Sequence, residues 1–201
     1  MKDDGALIFL SLLCATVRNT AYPSSKLHAL DMLLAIGQHL EDEFKLDRLV
    51  PYLIALLDDE VGLVRASTVK TLANLLSLVE TITPFNATIF PEYIMPKLRK
   101  FATDPEILVR MTYAQCITTF AETALRFLEL AQASHDSTLH ELQSIIQEQV
   151  TTLLIDSESA VKRALLSNIT SLCIFFGRQK ANDVLLSHMI TYLNDRDWML
   201  R

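Results

Sequence analysis

Four aspartates in this sequence are each followed, within one or two helical turns, by an arginine or a lysine. The pairs are Asp58 with Arg65, Asp104 with Arg110, Asp156 with Lys162, and Asp195 with Arg201. A carboxylate near a cation can bind a charged partner, or it can hold two parts of the chain together. In the second case each Asp caps a helix start and pairs with a basic residue of the same or the next repeat. We favour this structural ladder because recurrence at every repeat suits a packing role.

The other reactive residue types form no catalytic or metal-binding pattern. No two of the five histidines stand three or four residues apart with a carboxylate, which is the spacing of a helical metal site. The sequence has no nucleophile elbow, no glycine-rich phosphate loop and no kinase motif. We therefore predict that this segment is not an enzyme and has no catalytic residue, metal or cofactor.

A short stretch between two predicted helices, Phe176–Asp183, is a candidate partner loop. It places two cations beside Gly177, and loops on a rigid scaffold often carry contacts. The alternative is a solvated turn whose basic residues complement the C-terminal end of a helix. The candidate contact residues are Arg178, Gln179, Lys180, Asn182 and Asp183.

The elements that must position these residues are helices in pairs. Leu49–Leu76 has apolar residues at helical spacing, then an aspartate break, and then a second one-sided helix that starts near Arg65. The basic position recurs after 45, 52 and 39 residues, at Arg110, Lys162 and Arg201. Helix pairs that repeat about every 40–47 residues are typical of HEAT or armadillo repeats.

The sequence therefore predicts an all-α fold, an α-solenoid of HEAT-type helical hairpins with about four and a half repeats. We expect one segment over residues 1–201, with repeats at 5–40, 46–81, 88–131, 138–177 and 181–201, the last of them truncated. The acidic stretch Glu41–Glu43 is expected to be a solvated turn. We also expect Pro96 to bend its helix, and Gly177 to cap a helix that begins at Glu158.

Composition argues against several classes of partner and environment. The net charge of −6 does not favour binding to a nucleic-acid backbone. The three cysteines form no CxxC pair, which fits a reducing, cytoplasmic compartment. The apolar runs are far shorter than the roughly 20 residues of a membrane span, and the first residues are unlike a signal peptide. We expect no nucleic-acid partner and no direct membrane insertion.

Three stretches carry a resemblance to a known family: Phe90–Ile94, Ala121–Leu130 and Cys173–Asp195. They resemble the HEAT-repeat region of the regulatory subunit of the class III phosphatidylinositol 3-kinase complex. The resemblance implies a long parent protein with an amino-terminal kinase-like domain, this helical region and a carboxy-terminal WD-repeat propeller. The residues of this chain match no kinase motif, so kinase activity is not assigned to it.

The resemblance implies a scaffold that spaces the adjoining kinase-like and WD-repeat domains. The implied partners are the catalytic lipid kinase subunit and Beclin-type subunits, in autophagy and endosomal sorting. The parent is expected to be peripheral on endosomal and autophagic membranes. A competing hypothesis is a cargo-binding or transport-receptor HEAT solenoid that grips a peptide on its concave face.

Overall fold

A computed structural model describes residues 4–18, 20–83, 86, 88–131, 136–195 and 197–200. The chain divides into two compact units, Met1–Ile82 and Thr83–Arg201, called unit 1 and unit 2 below. Regular structure in the described ranges is helical throughout, without a strand, so the all-α prediction is confirmed. The number and limits of the repeats remain predictions.

Unit 1 is built from helices that pack in pairs. Its elements are α1 (Asp4–Arg18), α2 (Pro23–Gly37), α3 (Asp42–Phe44), a π-helical segment (Lys45–Leu49), α4 (Val50–Leu56) and α5 (Gly62–Ser77). Helix α1 contacts α2 and α4 contacts α5, while α2 and α5 also contact each other. Leucines on the facing sides, such as Leu33, Leu53 and Leu72, are buried in the resulting core.

Unit 2 continues the same arrangement of helix pairs. Its elements are a π-helical segment (Phe90–Ile94), α6 (Met95–Leu98), a 3₁₀ segment (Arg99–Thr103), α7 (Ile107–Leu130), α8 (Asp136–Leu154), α9 (Ser159–Leu166), α10 (Ile169–Ala181), a second π-helical segment (Asn182–Leu186) and α11 (Ser187–Tyr192). Helix α7 contacts both α8 and α9. In the core the Phe90 ring meets the Phe127 ring edge-on, with centroids 5.2 Å apart.

Two prolines change the type of helix around them. Pro51 and Pro96 have no N–H to donate to the carbonyl four residues back. Just before each proline the turn widens, because the amide of Val50 bonds to the carbonyl of Lys45 and the amide of Met95 bonds to the carbonyl of Phe90. Wide π turns of this kind occur mostly as single turns inside α-helices. The helix around Pro96 is therefore a succession of π, α and 3₁₀ segments.

The predicted single helix over 158–176 is wrong, because the helix breaks at Ser167 and Asn168. The Ser167 hydroxyl donates to the carbonyl of Ala164 at 2.7 Å, and the Asn168 side chain donates to the carbonyl of Gln115 at 3.1 Å. Asn168 has φ −117° and ψ 22°, which is outside the helical region. Short polar side chains that bond to the backbone compete with the helical hydrogen bonds.

Among the described residues no single helix is long and apolar enough to cross a membrane. In the part of the chain that the structure describes, one pair of helices reaches that length and apolar composition together, Ser159–Leu166 with Ile169–Tyr192, and a 73° bend separates the two.

Candidate functional site

Four turns in the described ranges follow a helix and share one side-chain hydrogen bond, made by a residue called here the turn aspartate. Its Oδ1 accepts the backbone N–H two residues later, which closes an Asx turn. The four bonds are Val61 N–H to Asp59 at 2.9 Å, Glu106 N–H to Asp104 at 2.9 Å, Glu158 N–H to Asp156 at 2.8 Å, and Asp197 N–H to Asp195 at 2.8 Å. The expectation that these aspartates cap the following helix is wrong, because no side-chain cap hydrogen bond is present at the starts of α5, α7 and α9.

A basic residue in the second helix reaches back to the turn of its own copy. Arg65 Nη1 donates to the carbonyl of Asp59 at 2.9 Å and to that of Glu60 at 3.0 Å. Arg110 Nη1 donates to the carbonyl of Asp104 at 2.8 Å. The guanidinium thus satisfies carbonyl groups that the turn leaves without helical partners.

The same kind of residue also pairs with the turn aspartate of the next copy, and this makes a ladder inside each unit. In unit 1 Lys26 Nζ lies 2.5 Å from Asp59 Oδ2. In unit 2 Arg110 Nε lies 2.7 Å from Asp156 Oδ2, and Lys162 Nζ lies 3.1 Å from Asp195 Oδ2. Each pair joins residues more than 30 positions apart in sequence and so ties one helix pair to the next.

The Arg110–Asp156 pair is the most enclosed of these contacts. The two side chains are only 13% and 7% exposed, and Nη2 makes a second bond to Asp156 Oδ1 at 3.2 Å. Hydrogen bonding to Asp156 raises the pKa of the Arg110 guanidinium above its ordinary value. Two-point pairing with little exposure makes this contact stronger than an ordinary surface ion pair, which contributes about 0–1 kcal/mol.

Tyr192 supports the last rung of the ladder. Lys162 Nζ lies 5.5 Å from the centroid of the Tyr192 ring, within cation–π range. The Tyr192 hydroxyl donates to the carbonyl of Leu154. Burial raises the pKa of Tyr192 to about 12, so this hydroxyl keeps its proton and stays a donor at neutral pH.

One member of the sequence-predicted ladder was misplaced, and another lies outside the described residues. Asp59, not Asp58, is the turn aspartate of the second copy, and Asp58 is exposed one residue earlier. The other turn aspartates stand six residues before their basic residue, and only Asp59 has that spacing from Arg65. This constant spacing could have identified Asp59 from the sequence. Arg201 is outside the described residues.

The prediction that Glu41–Glu43 is a solvated turn is wrong for Asp42. Its Oδ2 accepts the backbone N–H groups of Glu80 at 3.1 Å and Thr81 at 2.8 Å, and its Oδ1 accepts from Lys45 Nζ at 2.7 Å. Lys45 is itself buried and also donates to the carbonyl of Leu78 at 3.2 Å. Burial raises the pKa of Asp42, but the hydrogen bonds from Lys45, Thr81 and Glu80 outweigh it and leave the pKa below its ordinary value. These contacts fasten the end of α5 to α3.

The predicted partner loop is also wrong as a loop, because its residues are helical. Arg178–Lys180 lie at the end of α10, and Asn182 and Asp183 begin the following π-helical segment. The only turn here is at Gly177, where φ is 74° and ψ is 168°. That conformation is accessible essentially to glycine alone, and it differs from the left-handed cap expected from the sequence.

The side chains that follow Gly177 differ in what they contact. Arg178, Gln179, Asn182 and Asp183 are exposed. Lys180 is half-buried, and its Nζ donates to Gln143 Oε1 at 2.7 Å. Gln143 in turn donates to the carbonyl of Phe175 at 3.2 Å, which is the end of the helix before the glycine. Lys180 and Gln143 therefore connect the residues on both sides of Gly177 to α8. Contact of the exposed residues with a partner remains a prediction.

A cavity of about 330 Å³ lies beside α6 and α8. Its one acidic side chain, Glu148, forms an ion pair with Arg99. Within the described ranges no three His, Cys, Asp or Glu side chains are placed to hold a metal ion. The hydrogen bonds and ion pairs described above connect helices to each other.

The sequence matches the family model described as PIK3R4-like, middle domain, over residues 9–201. The chain belongs to the PIK3R4-like family. The resemblance to the helical region of this regulatory subunit, drawn above from Ala121–Leu130 and Cys173–Asp195, is thereby confirmed.

Relatives of this PIK3R4-like middle domain come from distant eukaryotes. The putative serine/threonine-protein kinase VPS15 of Komagataella pastoris is 45% identical over 194 residues, which cover 95% of this chain and 14% of the relative. The probable serine/threonine-protein kinase vps15 of Dictyostelium discoideum is 35% identical over 222 residues, covering 98% of the chain and 11% of the relative. The serine/threonine-protein kinase VPS15 of Arabidopsis thaliana is 34% identical over 233 residues, covering 100% and 16%. The chain thus spans a small part of proteins that are named as kinases.

Proposed function

We propose that this PIK3R4-like middle domain is a non-catalytic scaffold segment of the regulatory subunit of the class III phosphatidylinositol 3-kinase complex. Its role is to space a kinase-like domain and a WD-repeat propeller of the same parent chain. In this role it supports assembly of the catalytic lipid kinase with Beclin-type subunits, in autophagy and endosomal sorting. The parent acts in the cytoplasm, peripheral on endosomal and autophagic membranes.

The observation that carries this proposal is the ladder. Charged side chains that could form a reactive centre are instead paired between helix pairs, as in Arg110–Asp156 and Lys162–Asp195. Partly buried pairs of this kind hold each repeat in a fixed register against its neighbour. A fixed register is what a spacer requires, and the matched relatives extend well beyond the part that this chain covers.

The test replaces residues 1–201 in the full-length parent with a flexible glycine–serine linker. The parent is then co-expressed with the lipid kinase and Beclin-type subunits, and the purified complex is measured for composition and lipid kinase activity. We expect an incomplete or weakly active complex, because the linker fixes neither distance nor angle. Complete and active assembly would refute a required spacer role.

A further inference from the structure

The outward side of α1 is apolar. Ile8 and Leu12, one helical turn apart, are 65% and 63% exposed, and Phe9 between them is 49% exposed. No charged residue occurs from Gly5 to Val17. Contiguous exposed apolar surface of this kind marks an interaction site more often than isolated apolar residues do.

The repeat register shows that these positions normally face solvent. Thr20 occupies the turn position of the first copy, since its hydroxyl oxygen accepts the N–H of Tyr22, two residues later, at 3.4 Å. Counted back from the turn residue, Ile8 stands at position −12 and Leu12 at position −8. The other copies have exposed residues at both positions: Asp47, Glu92, Ser144 and Asp183 at −12, and Pro51, Pro96, Glu148 and Ser187 at −8. Packing between repeats therefore does not explain an apolar Ile8 and Leu12.

The residue at the turn position of the first copy supports the same conclusion. A threonine at position 20 has no carboxylate, so it cannot take the ion pair that Asp59 takes from Lys26. Another helix pair therefore cannot be joined to α1 through an ion pair at this turn position.

Two cavities open beside this face, between α1 and the stretch 44–52. Their volumes are about 250 Å³ and 110 Å³, and both are lined by Leu10, Ser11 and Arg48. Phe44 lines the smaller cavity and Pro51 lines the larger one. Arg48 is exposed and forms no ion pair within the described ranges. An apolar ridge, two small cavities of mixed polar and apolar lining, and a cation together fit an amphipathic helix that carries a carboxylate.

We propose that this face of unit 1 docks an amphipathic helix of the same full-length polypeptide, from outside residues 1–201. Its apolar side chains cover Ile8 and Leu12 and enter the two cavities, and its carboxylate pairs with Arg48. This chain covers only 11–16% of the length of the matched relatives. Most of the full-length polypeptide is therefore available to supply the helix.

The small size of the face favours an occupant in the same polypeptide. Three apolar side chains and two small cavities offer much less than the roughly 1,200–2,000 Å² of a stable interface between separate proteins. A tethered segment has an effective concentration of about millimolar, so weak contacts suffice to hold it. The inference needs only the family membership and does not depend on the scaffold role.

The test uses the purified full-length protein with the photo-crosslinking residue p-benzoylphenylalanine in place of Leu12. A matched control carries the same residue in place of Ser187, which has the same register in the last copy. After irradiation, crosslinked peptides are identified by mass spectrometry. We expect a crosslink from position 12 to the same polypeptide outside 1–201, at about fivefold or more the yield from position 187, and unchanged on about tenfold dilution.

Several outcomes would overturn the proposal. These are a yield no higher than at position 187, a yield that falls on dilution as for a second copy, or capture of another protein or a lipid. The charged contact is tested separately by Arg48→Glu in the Leu12 crosslinker background. A severalfold lower yield is expected, since like charges would then face each other. An unchanged yield would contradict the pairing with a carboxylate.

Discussion

The Arg110 guanidinium holds both carboxylate oxygens of Asp156, with Nε at 2.7 Å and Nη2 at 3.2 Å, although the residues are 46 positions apart. Its remaining nitrogen, Nη1, donates to the carbonyl of Asp104 at 2.8 Å. One side chain therefore closes the turn of its own copy and fastens the turn of the next. Because of this double role, we expect truncation of Arg110 to lower stability more than truncation of any other residue of the ladder.

Arg110→Ala is expected to destabilise the chain by about 1.5–3 kcal/mol, because it leaves a poorly solvated Asp156 carboxylate without its cation. For a chain of this size that corresponds to a fall in Tm of about 3–12 °C. Arg110→Lys should give an intermediate loss, since lysine keeps the charge but not the two-point geometry. Thermal unfolding followed by circular dichroism measures both, with exposed Arg178→Ala as the control. A melting curve unchanged in Arg110→Ala would contradict the ladder.

Asp59→Ala is expected to destabilise unit 1 more than Asp58→Ala does. Asp59 both accepts the N–H of Val61 and pairs with Lys26, and loss of a hydrogen bond to a charged group costs about 1.5–3 kcal/mol. Urea unfolding of the two variants, measured side by side, compares the free energy of unfolding lost at two neighbouring aspartates. Equal losses, or a larger loss for Asp58→Ala, would show that the turn position is assigned to the wrong aspartate.

Asp42 makes the stability of unit 1 depend on pH. Its pKa is lowered in the folded chain, so its contribution is fully present above the unfolded value of about 3.9 and is lost as pH falls through the folded value. Urea midpoints measured from neutral pH to below pH 4 should therefore drop in the acid range. Asp42→Asn should be less stable at neutral pH and show a smaller acid drop. The exposed neighbour Glu43 gives the control, Glu43→Gln. An acid drop of the same size in Asp42→Asn would exclude Asp42 as its source.

Gly177→Ala tests the break inside α10, where Gly177 interrupts the helical conformation. A Cβ at this position meets no atom within 4 Å, so any effect comes from the backbone. Holding a non-glycine residue at φ 74° and ψ 168° costs about 1–3 kcal/mol. Hydrogen exchange of residues 175–181 should become faster in this variant. Unchanged exchange together with unchanged stability would mean that the break tolerates a side chain.

The sequence revealed those features that repeat, and it missed those that occur once. The turn aspartates 104, 156 and 195 were found because the same residue types return at the period of a helix pair. Asp59 was missed because two aspartates are adjacent, and only the six-residue spacing to Arg65 separates them. The Asp42–Lys45 contacts were missed because their partners, Leu78 to Thr81, are more than 30 residues away in the sequence.

The break at Asn168 and the helical state of Arg178–Asp183 were missed for a related reason. Tertiary hydrogen bonds decide both, from Asn168 to Gln115 and from Lys180 to Gln143. Periodicity within the sequence does not report such contacts, because they depend on which helices become neighbours.

The spacer role is tested most directly by the distance between the kinase-like domain and the propeller in the full-length parent, purified without other subunits. One spin label is placed on each domain, and the distance distribution is measured by pulsed electron paramagnetic resonance. We expect one narrow distribution in the wild type and a clearly broader one in a variant carrying both Arg110→Ala and Lys162→Ala. A wild-type distribution as broad as that of the variant would contradict the proposal that residues 1–201 hold these domains at a set distance.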